Sequence, residues 1–326
     1  MADKKETTVP KTGKAVVYRD FCEPSGLKVE DVEVPAPGEG EVVIKVKAAG
    51  LNPADFKIRA GHWKSYPTKF PAVPGWDAAG VIVARGHAAR RFNVGDEVYS
   101  YARRPQVDIH GCYAEYITLS EAYVAPKPKK ASFEQAGGIP LAGLTAYQGL
   151  KVLGLKEGET ILVVGASGGV GSFVVQLAKN VFKAKNVIGI ASAKSADYLK
   201  KIGATHVLDY KGDYKNELLK IVSGGVDAVY DCFGGDWPAQ AEALATSNAR
   251  VVSIASWSSP AYTKKISFTA FLVEPHAPQL AELAQFFDEG KITTNVDKVW
   301  KLEEAAKAHE ELAKFTTQGK AVFKID

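Results

Sequence analysis

The sequence predicts an α/β protein in which a β-rich domain is joined to a doubly wound parallel-sheet domain. Residues 160–179 show a short β-branched strand, a glycine-dense turn and a helix, which together form the first half of a βαβ unit. Strand and helix patterns alternate from there to Ala255, whereas the first half of the chain shows strand patterns with many glycines and prolines. With 326 residues, the chain is long enough for two domains.

Alternating polar and apolar residues predict the strands of the β-rich domain. These strands cover residues 14–18, 27–34, 41–48, 80–84, 97–101 and 114–119. Near the other end of the chain, two predicted helices precede a last strand at residues 321–325. Because this strand lies far from the parallel-sheet pattern, we expect the C-terminus to return and complete the first domain. The predicted domains are residues 12–131 with 272–326, and residues 132–271.

Apolar runs with helical segments between them predict the parallel-sheet domain. The predicted strands cover residues 161–164, 186–190, 206–209, 226–231 and 250–255. Helical segments follow the first strand and lie at residues 217–222 and 239–245. Regular alternation of this kind gives a parallel sheet with helices on both faces.

The turn after the first of these strands has the pattern of a dinucleotide site. It is a Gly-x-Gly-x-x-Gly motif with alanine in the first place. Small residues here let the backbone approach a pyrophosphate, let the helix pack on the strand and leave the helix N-terminus free for negative charge. The predicted cofactor-binding residues of the turn are Ala166, Ser167, Gly168, Gly169, Val170 and Gly171.

The residues after the second strand predict which dinucleotide binds. A site for NAD usually places Asp or Glu at this point to bind the ribose 2′-hydroxyl, whereas a 2′-phosphate requires hydroxyls and a cation. The chain offers Ser192, Lys194 and Ser195 and no carboxylate there. We therefore predict NADPH as the cofactor; the alternative for Lys194 is a solvated lysine at the start of a helix.

Composition narrows the range of functions. Lys and Arg number 41 against 37 Asp and Glu, so charge favours a small-molecule partner over nucleic acid. The three cysteines form no disulfide framework, and no apolar run is long enough to span a membrane. The polar first dozen residues resemble neither a signal peptide nor a transit peptide, so we expect a cytoplasmic location.

Several motifs in the same order resemble one protein family. They are AAGLNPADFKIRAG at 48–61, FPAVPGWDAAGVIV at 70–83, VGDEVYSY at 94–101, GCYAEYITL at 111–119, LAGLTAYQGL at 141–150 and QGKAVFKI at 318–325. With the glycine turn, they resemble the zinc-free quinone oxidoreductase branch of the medium-chain dehydrogenase/reductase superfamily, including its zeta-crystallin-like and plant enone oxidoreductase members. The resemblance implies a GroES-like β-rich catalytic domain, a Rossmann domain and a homodimer.

The same resemblance implies an activity. Zinc members of the superfamily hold a catalytic metal with a cysteine and a His-Glu pair, where this chain has Asn52 and Trp76-Asp77. Without a metal to polarise an alcohol, reduction of an electrophilic acceptor is favoured. We therefore expect an NADPH-dependent, metal-free and flavin-free reductase of quinones or α,β-unsaturated carbonyls. The alternative is an NADPH-binding regulatory or structural protein that binds RNA or DNA, as zeta-crystallin-like relatives do.

The expected site residues follow from the residue types and the resemblance. Asn52 would hydrogen-bond the acceptor oxygen or the ribose, unless it caps its own backbone in a turn. Lys57 would hold the ribose or stabilise an enolate, unless it is merely exposed. The aromatic wall of the substrate pocket would be Trp63, Tyr66 and Phe70, unless they belong to the core. The resemblance adds five cofactor-binding residues: Thr145, Tyr210, Phe233, Gly234 and Ile254.

Overall fold

The computed structural model describes residues 9–63, 69–103 and 110–326. Tyr66, one of the residues expected to wall the substrate pocket, lies outside them. The described residues form a two-stranded, a six-stranded and a seven-stranded sheet together with nine α-helices. This arrangement confirms the predicted α/β fold class. Within the described part of the chain, no helix has the length and apolar character needed to cross a bilayer.

The β-rich part consists of a small antiparallel sheet and a mostly antiparallel seven-stranded sheet, to which two strands from the end of the chain are added. The small sheet pairs β1 (Thr12–Val17) with β2 (Lys28–Glu33). The seven-stranded sheet contains β3 (Glu41–Gly50), β4 (Asp77–Arg85), β5 (Glu97–Tyr101), β6 (Tyr116–Ser120), β7 (Val124–Pro126), β14 (Val296–Trp300) and β15 (Lys320–Lys324). Its order is β14-β15-β3-β4-β5-β7, and β6 pairs with β3. Helix α1 (Pro53–Arg59) follows β3 directly.

The six-stranded sheet is parallel throughout. It contains β8 (Thr160–Val164), β9 (Asn186–Ala191), β10 (His206–Asp209), β11 (Val226–Asp231), β12 (Ala245–Ser253) and β13 (Ser267–Ala270). Their order is β10-β9-β8-β11-β12-β13, so the direction of strand addition reverses between β8 and β11. Ligands of such sheets bind at the carboxyl ends of the strands, at this point of reversal.

The helices cover the parallel sheet and join the two parts of the molecule. They are α2 (Phe133–Gly137), α3 (Pro140–Leu153), α4 (Gly169–Asn180), α5 (Ala196–Lys201), α6 (Tyr214–Ile221), α7 (Trp237–Leu244), α8 (Ala277–Asp288) and α9 (Ala305–Leu312). Residues of α3, α4 and α8 share one buried apolar core with Tyr99 and Tyr101 of β5. The hydroxyl of Tyr99 also donates to the carbonyl oxygen of Leu280 in α8.

The end of the chain returns to the β-rich part. Strand β15 pairs antiparallel with β3, with Val322 opposite Gly50, and β14 pairs parallel with β15. These pairings place β14 and β15 in the sheet of β3; the domain limits drawn from the sequence stay a prediction. Neither the helices α1 and α5 nor the strands β7, β13 and β14 were predicted from the sequence. Of the two helices predicted before the last strand, the second, expected at residues 302–315, is shorter, because Phe315 has a positive φ of 52° that an α-helix does not allow.

Candidate cofactor and substrate site

The turn between β8 and α4 is a close-packed elbow. Gly165 leaves β8 with a positive φ of 71°, and α4 begins at Gly169. A Cβ atom on Gly171 would lie 2.3 Å from the carbonyl oxygen of Gly165. Ala166 is fully buried, and a Cβ atom on Gly189 of β9 would lie 3.0 Å from its side chain. Small side chains at these positions therefore let the helix, the turn and β9 meet.

The N-terminus of α4 suits a pyrophosphate. Gly168 is the N-cap residue, and it has no side chain that could cap the helix. Among the described residues, a Cβ atom on Gly168 would come within 4 Å of one atom, the carbonyl oxygen of Gly165, at 3.5 Å. Uncapped backbone N–H groups and the positive end of the helix dipole favour an anion at this position. The residues of the elbow thus fit the dinucleotide predicted from the sequence.

The structure brings Ser192, Lys194 and Ser195 together directly after β9. A single 3-10 turn, Ala193–Ser195, holds the loop, and the two serine Oγ atoms are 3.4 Å apart. Ser195 is buried whereas Lys194 is exposed. Tyr210 lies beside this loop, since its N–H donates to the carbonyl oxygen of Ala191 over 3.2 Å, and its ring is half-exposed.

Asp231, which sequence analysis did not single out, organises the ends of β11 and β12. Its Oδ1 accepts from the backbone N–H groups of Phe233 and Gly234, each over 2.9 Å. Its Oδ2 accepts from the hydroxyl of Ser253 over 2.6 Å, and its carbonyl oxygen accepts from the N–H of Ile254. A carboxylate that ends a buried strand before a Gly-Gly pair was the signal available in the sequence.

Asn52 lies where the seven-stranded sheet meets helix α3. It is the N-cap residue of α1, and its Nδ2 donates to Oδ2 of Asp77, the first residue of β4, over 2.8 Å. The ammonium of Lys320 donates to Oδ1 of Asn52 and, over 2.8 Å, to the carbonyl oxygen of Leu51. Since Lys320 only donates and an ionised Asp77 only accepts, the orientation of the Asn52 amide is defined.

The carboxylate of Asp77 connects this group to α3. Its Oδ1 accepts from the backbone N–H of Leu141, in the uncapped first turn of that helix. Lys320 is 3 % exposed, and its Nζ is 3.8 Å from Oδ2 of Asp77. Burial raises the pKa of Asp77 to about 6, and the charge of Lys320 opposes that rise. Burial also lowers the pKa of Lys320.

A second buried carboxylate extends the same cluster behind α1. Oδ2 of Asp55 accepts from the backbone N–H of Asn52 over 2.8 Å and from the hydroxyl of Tyr113 over 2.7 Å. Burial raises the pKa of Asp55 to about 7, and these two hydrogen bonds oppose the rise. The hydrogen-bonded cluster therefore contains Asn52, Asp55, Asp77, Tyr113 and Lys320.

Lys57 and Thr145 take different places around this cluster. Lys57 is half-exposed on α1, one and a half turns after Asn52. Thr145 is buried on α3, where its hydroxyl donates to the carbonyl oxygen of Leu141 over 2.7 Å. Its oxygen can still accept a hydrogen bond, as contact with a carboxamide would require. The hydroxyl of Tyr230 in β11 donates a hydrogen bond to the backbone carbonyl oxygen of Thr145 over 2.7 Å.

Aromatic side chains adjoin Asp77. The rings of Trp63 and Trp76 are stacked with centroids 6.4 Å apart, and Trp76 meets Tyr101 edge to face. The guanidinium of Arg103 lies 5.8 Å from the ring centroid of Trp76. Phe70 instead contacts the rings of Tyr18 and Phe21, both at its edge. The structure thus associates Trp63 with Trp76 and not with Phe70; sequence analysis did not predict the contribution of Tyr101 or Arg103.

The dinucleotide elbow and the Asn52 cluster are joined through the C-terminal segment. The N–H of Gly319 donates to the carbonyl oxygen of Ser167 over 2.8 Å. A Cβ atom on Gly169 would lie 2.9 Å from Cδ of Lys320. A dinucleotide with its phosphates on α4 would therefore lie beside the side chain that fixes Asn52. This arrangement suits the transfer of a hydride to an acceptor held between the two sheets.

Comparison with known proteins agrees with this arrangement. Residues 38–129 match the family model of the alcohol dehydrogenase GroES-like domain, and residues 202–323 match that of the zinc-binding dehydrogenases. A 2-methylene-furan-3-one reductase from Solanum lycopersicum is 37% identical over 294 residues, which is 89% of this chain and 73% of that protein. An NADPH-dependent alkenal/one oxidoreductase, chloroplastic, from Arabidopsis thaliana is 35% identical over 90% of this chain and 74% of its own length.

A solved structure shows the same fold over nearly the whole chain. The quinone oxidoreductase from Coxiella burnetii superposes with a TM-score of 0.87 at 32% identity, over 97% of this chain and all of that one. The order of the strands, the glycine elbow and the similarity to these relatives all indicate the same family. The chain therefore belongs to the zinc-free quinone oxidoreductase-like branch of the medium-chain dehydrogenase/reductase superfamily and is an oxidoreductase that uses a nicotinamide cofactor.

Proposed function

We propose that this chain is an NADPH-dependent reductase that transfers hydride to quinones or to α,β-unsaturated carbonyls. The observation that carries the proposal is the fixed amide of Asn52. Its oxygen is bound by Lys320, and one hydrogen of its nitrogen is bound by Asp77. Among the described residues, the second hydrogen of that nitrogen has no acceptor, and we propose that it binds the oxygen of an acceptor substrate or the cofactor ribose.

A neutral amide donor suits this chemistry. When bound, the reduced nicotinamide supplies the hydride. Reduction of an enone adds hydride to the β-carbon and a proton to the α-carbon, and negative charge develops on the carbonyl oxygen meanwhile. A donor fixed in advance at that oxygen stabilises the charge without reorganising. Neither Asn52 nor Trp76 can serve as a thiolate or imidazole ligand, so the polarising group is the amide.

Other residues are proposed to hold the substrates. Trp63 and Trp76, both half-buried, offer flat apolar surfaces for a planar conjugated acceptor, and the buried Tyr101 packs against Trp76 edge to face. Lys57, half-exposed on α1, would bind the cofactor ribose. Phe70 stays a prediction for the substrate wall. The relatives from tomato, Arabidopsis and Coxiella, named as reductases or oxidoreductases, support the two classes of acceptor.

The preference for NADPH is supported by the residues after β9. Ser192 and Ser195 supply hydroxyls and Lys194 supplies a cation, as a 2′-phosphate requires. The Arabidopsis relative is itself named NADPH-dependent. A homodimer and a cytoplasmic location stay predictions from the sequence, and the same relative is named as chloroplastic. Analytical ultracentrifugation would test the dimer.

The test is a panel of acceptors assayed by the oxidation of NADPH and of NADH. It would contain 1,4-naphthoquinone, 1-octen-3-one, the corresponding saturated ketone and a primary alcohol with NADP⁺, each with and without a chelator. We expect turnover of a quinone or the enone with NADPH, unchanged by the chelator, and a product reduced at the carbon–carbon double bond in the enone case. An Asn52→Leu variant should lose about 100-fold in kcat, the usual cost of one oxyanion donor. Turnover of only the alcohol would contradict the proposal.

A further inference from the structure

Three consecutive residues near the end of the chain contact three different parts of the cofactor site. Lys320 binds Asn52, and Gly319 binds the carbonyl oxygen of Ser167 in the elbow. The side chain of Gln318 reaches the loop after β9, where its Nε2 lies 3.0 Å from Oγ of Ser195 and 3.5 Å from the carbonyl oxygen of Lys194. Gln318 therefore touches the loop proposed to receive the 2′-phosphate.

The backbone of Gln318 is held in place by its neighbours. Its carbonyl oxygen accepts from Nδ2 of Asn295 over 2.7 Å, and its N–H donates to Oδ2 of Asp297 over 3.4 Å. Gly319, the next residue, has a φ of 81°, and a Cβ atom there would lie 2.4 Å from the carbonyl oxygen of Asn295. The half-buried side chain of Gln318 thus starts from a fixed point.

The direction of the hydrogen bond between Gln318 and Ser195 determines what the serine can do. The amide nitrogen can only donate, so Oγ of Ser195 accepts. A hydroxyl that accepts in this way keeps its single hydrogen for another acceptor. The other hydrogen of the Gln318 amide covers the carbonyl oxygen of Lys194, whose partial negative charge would otherwise oppose a phosphate.

We propose that Gln318 is a specificity residue for the 2′-phosphate of the cofactor, and that it acts by orienting the hydroxyl of Ser195 as a donor. The inference rests on the proposed use of NADPH. Gln318 would therefore contribute to a cofactor loop that lies more than 120 positions earlier in the chain. Gln318 is thus a positioning residue: it selects between cofactors and does not take part in hydride transfer.

The test uses two probes that carry no nicotinamide. Adenosine 2′,5′-bisphosphate contains the 2′-phosphate, and 5′-AMP lacks it. Their dissociation constants would be measured by calorimetry at one moderate salt concentration for the unaltered protein, for Gln318→Leu and for Gln318→Glu. We expect Gln318→Leu to raise the dissociation constant of the bisphosphate about tenfold, as loss of one oriented hydrogen bond to a charged group does. Binding of 5′-AMP should change less than twofold, and Gln318→Glu should weaken the bisphosphate further by repulsion.

Two further variants separate positioning from a general structural effect. Gln285→Leu removes an exposed glutamine of α8 whose side-chain nitrogen donates to Glu289 just after that helix, and it should leave both dissociation constants unchanged. Ser195→Ala should weaken the bisphosphate, and Gln318→Leu should add little in that background, because residues that act through one another are not additive. A full additional loss in the double variant would overturn the proposed route through Ser195.

The remaining outcomes distinguish this inference from the proposed function. If the unaltered protein binds the bisphosphate no more tightly than 5′-AMP, the preference for NADPH fails and the inference fails with it. If the unaltered protein prefers the bisphosphate and Gln318→Leu keeps that preference, only the inference is overturned. Equal weakening of both probes by Gln318→Leu would also overturn it, since that result indicates a distorted loop.

Discussion

The side-chain nitrogen of Asn52 lies 2.8 Å from Oδ2 of Asp77, so the residue that begins α1 is bonded to the residue that begins β4. Both side chains are buried, and Asp77 carries its charge beside the single ammonium of Lys320. The proposed donor to the substrate, the Asn52 amide, is therefore held by two buried groups of opposite charge. The same two charges fix its orientation and make it sensitive to the loss of either one.

Loss of the Lys320 charge is expected to destabilise the protein. Lys320→Met leaves Asp77 as an uncompensated buried carboxylate and should cost about 3–5 kcal/mol of unfolding free energy. Asp77→Asn in the same chain removes that charge and should recover most of the loss. Lys324→Met is the control, because this exposed lysine of β15 forms an ion pair with Glu134 at the surface. Urea unfolding would measure all four proteins, and an undiminished loss in the double variant would contradict the prediction.

The pKa of Asp55 predicts a contribution to stability that is lost as pH rises. Burial raises the folded pKa to about 7, so between pH 4 and pH 7 the folded protein binds more protons than the unfolded chain. The contribution is present below the unfolded pKa and disappears as pH passes the folded value. Asp55→Asn abolishes it, so the stability of this variant relative to the unaltered protein should improve by about 3 kcal/mol from pH 4.5 to pH 7.5. A pH-independent difference in urea midpoints would argue against this assignment.

The buried His309 should make stability depend on pH in the opposite direction, so that stability is lost as pH falls. Burial, with a smaller effect from Arg59, lowers the pKa of this histidine to about 3, and within the described residues neither ring nitrogen has a hydrogen-bond partner. The unfolded chain therefore takes up a proton first, and stability falls as pH drops below 6.5. His309→Leu should resist this loss, by about 2 kcal/mol at pH 5 relative to pH 7.5. His87→Leu, at an exposed histidine, serves as the control.

The elbow predicts a steric effect at one glycine. Gly171→Ala would place a methyl group 2.3 Å from the carbonyl oxygen of Gly165, and that oxygen belongs to backbone that cannot rotate away. We expect a clear drop in melting temperature and at least tenfold weaker binding of NADPH. Gly224→Ala is the matched control, because a Cβ atom there meets nothing within 4 Å and no positive φ is required. Unchanged NADPH affinity in Gly171→Ala would show that the elbow does not bind the phosphates.

Local sequence patterns predicted five of the six strands of the parallel sheet, because each of these five is a short apolar run. The elbow could also be predicted from local sequence, because its glycines all lie within residues 165–171. Helix α1 had a local signal that was passed over: Pro53 follows Asn52, and Asp55 binds the N–H of Asn52. That pattern is typical of a helix start, although it lies in a segment otherwise full of turns.

The charged part of the site could not be predicted in this way. Lys320 stands 268 positions after Asn52, and nothing near either residue indicates that they meet. Their contact depends on β15 pairing with β3, which is a long-range event decided by packing of the whole sheet. Asp231 was missed for another reason, because its importance comes from two segments that meet at one carboxylate, the loop after β11 and the end of β12.

The antiparallel pairing of β15 with β3 has a consequence for how the molecule forms during translation. The ribosome must synthesise residues 318–320 before the elbow and the Asn52 cluster can gain their final contacts. All six strands of the parallel sheet emerge well before that point. A nascent chain thus contains every strand of that sheet before it can fix Asn52, and a chain that stopped a few residues before Gln318 would lack the contacts to Ser195, Ser167 and Asn52.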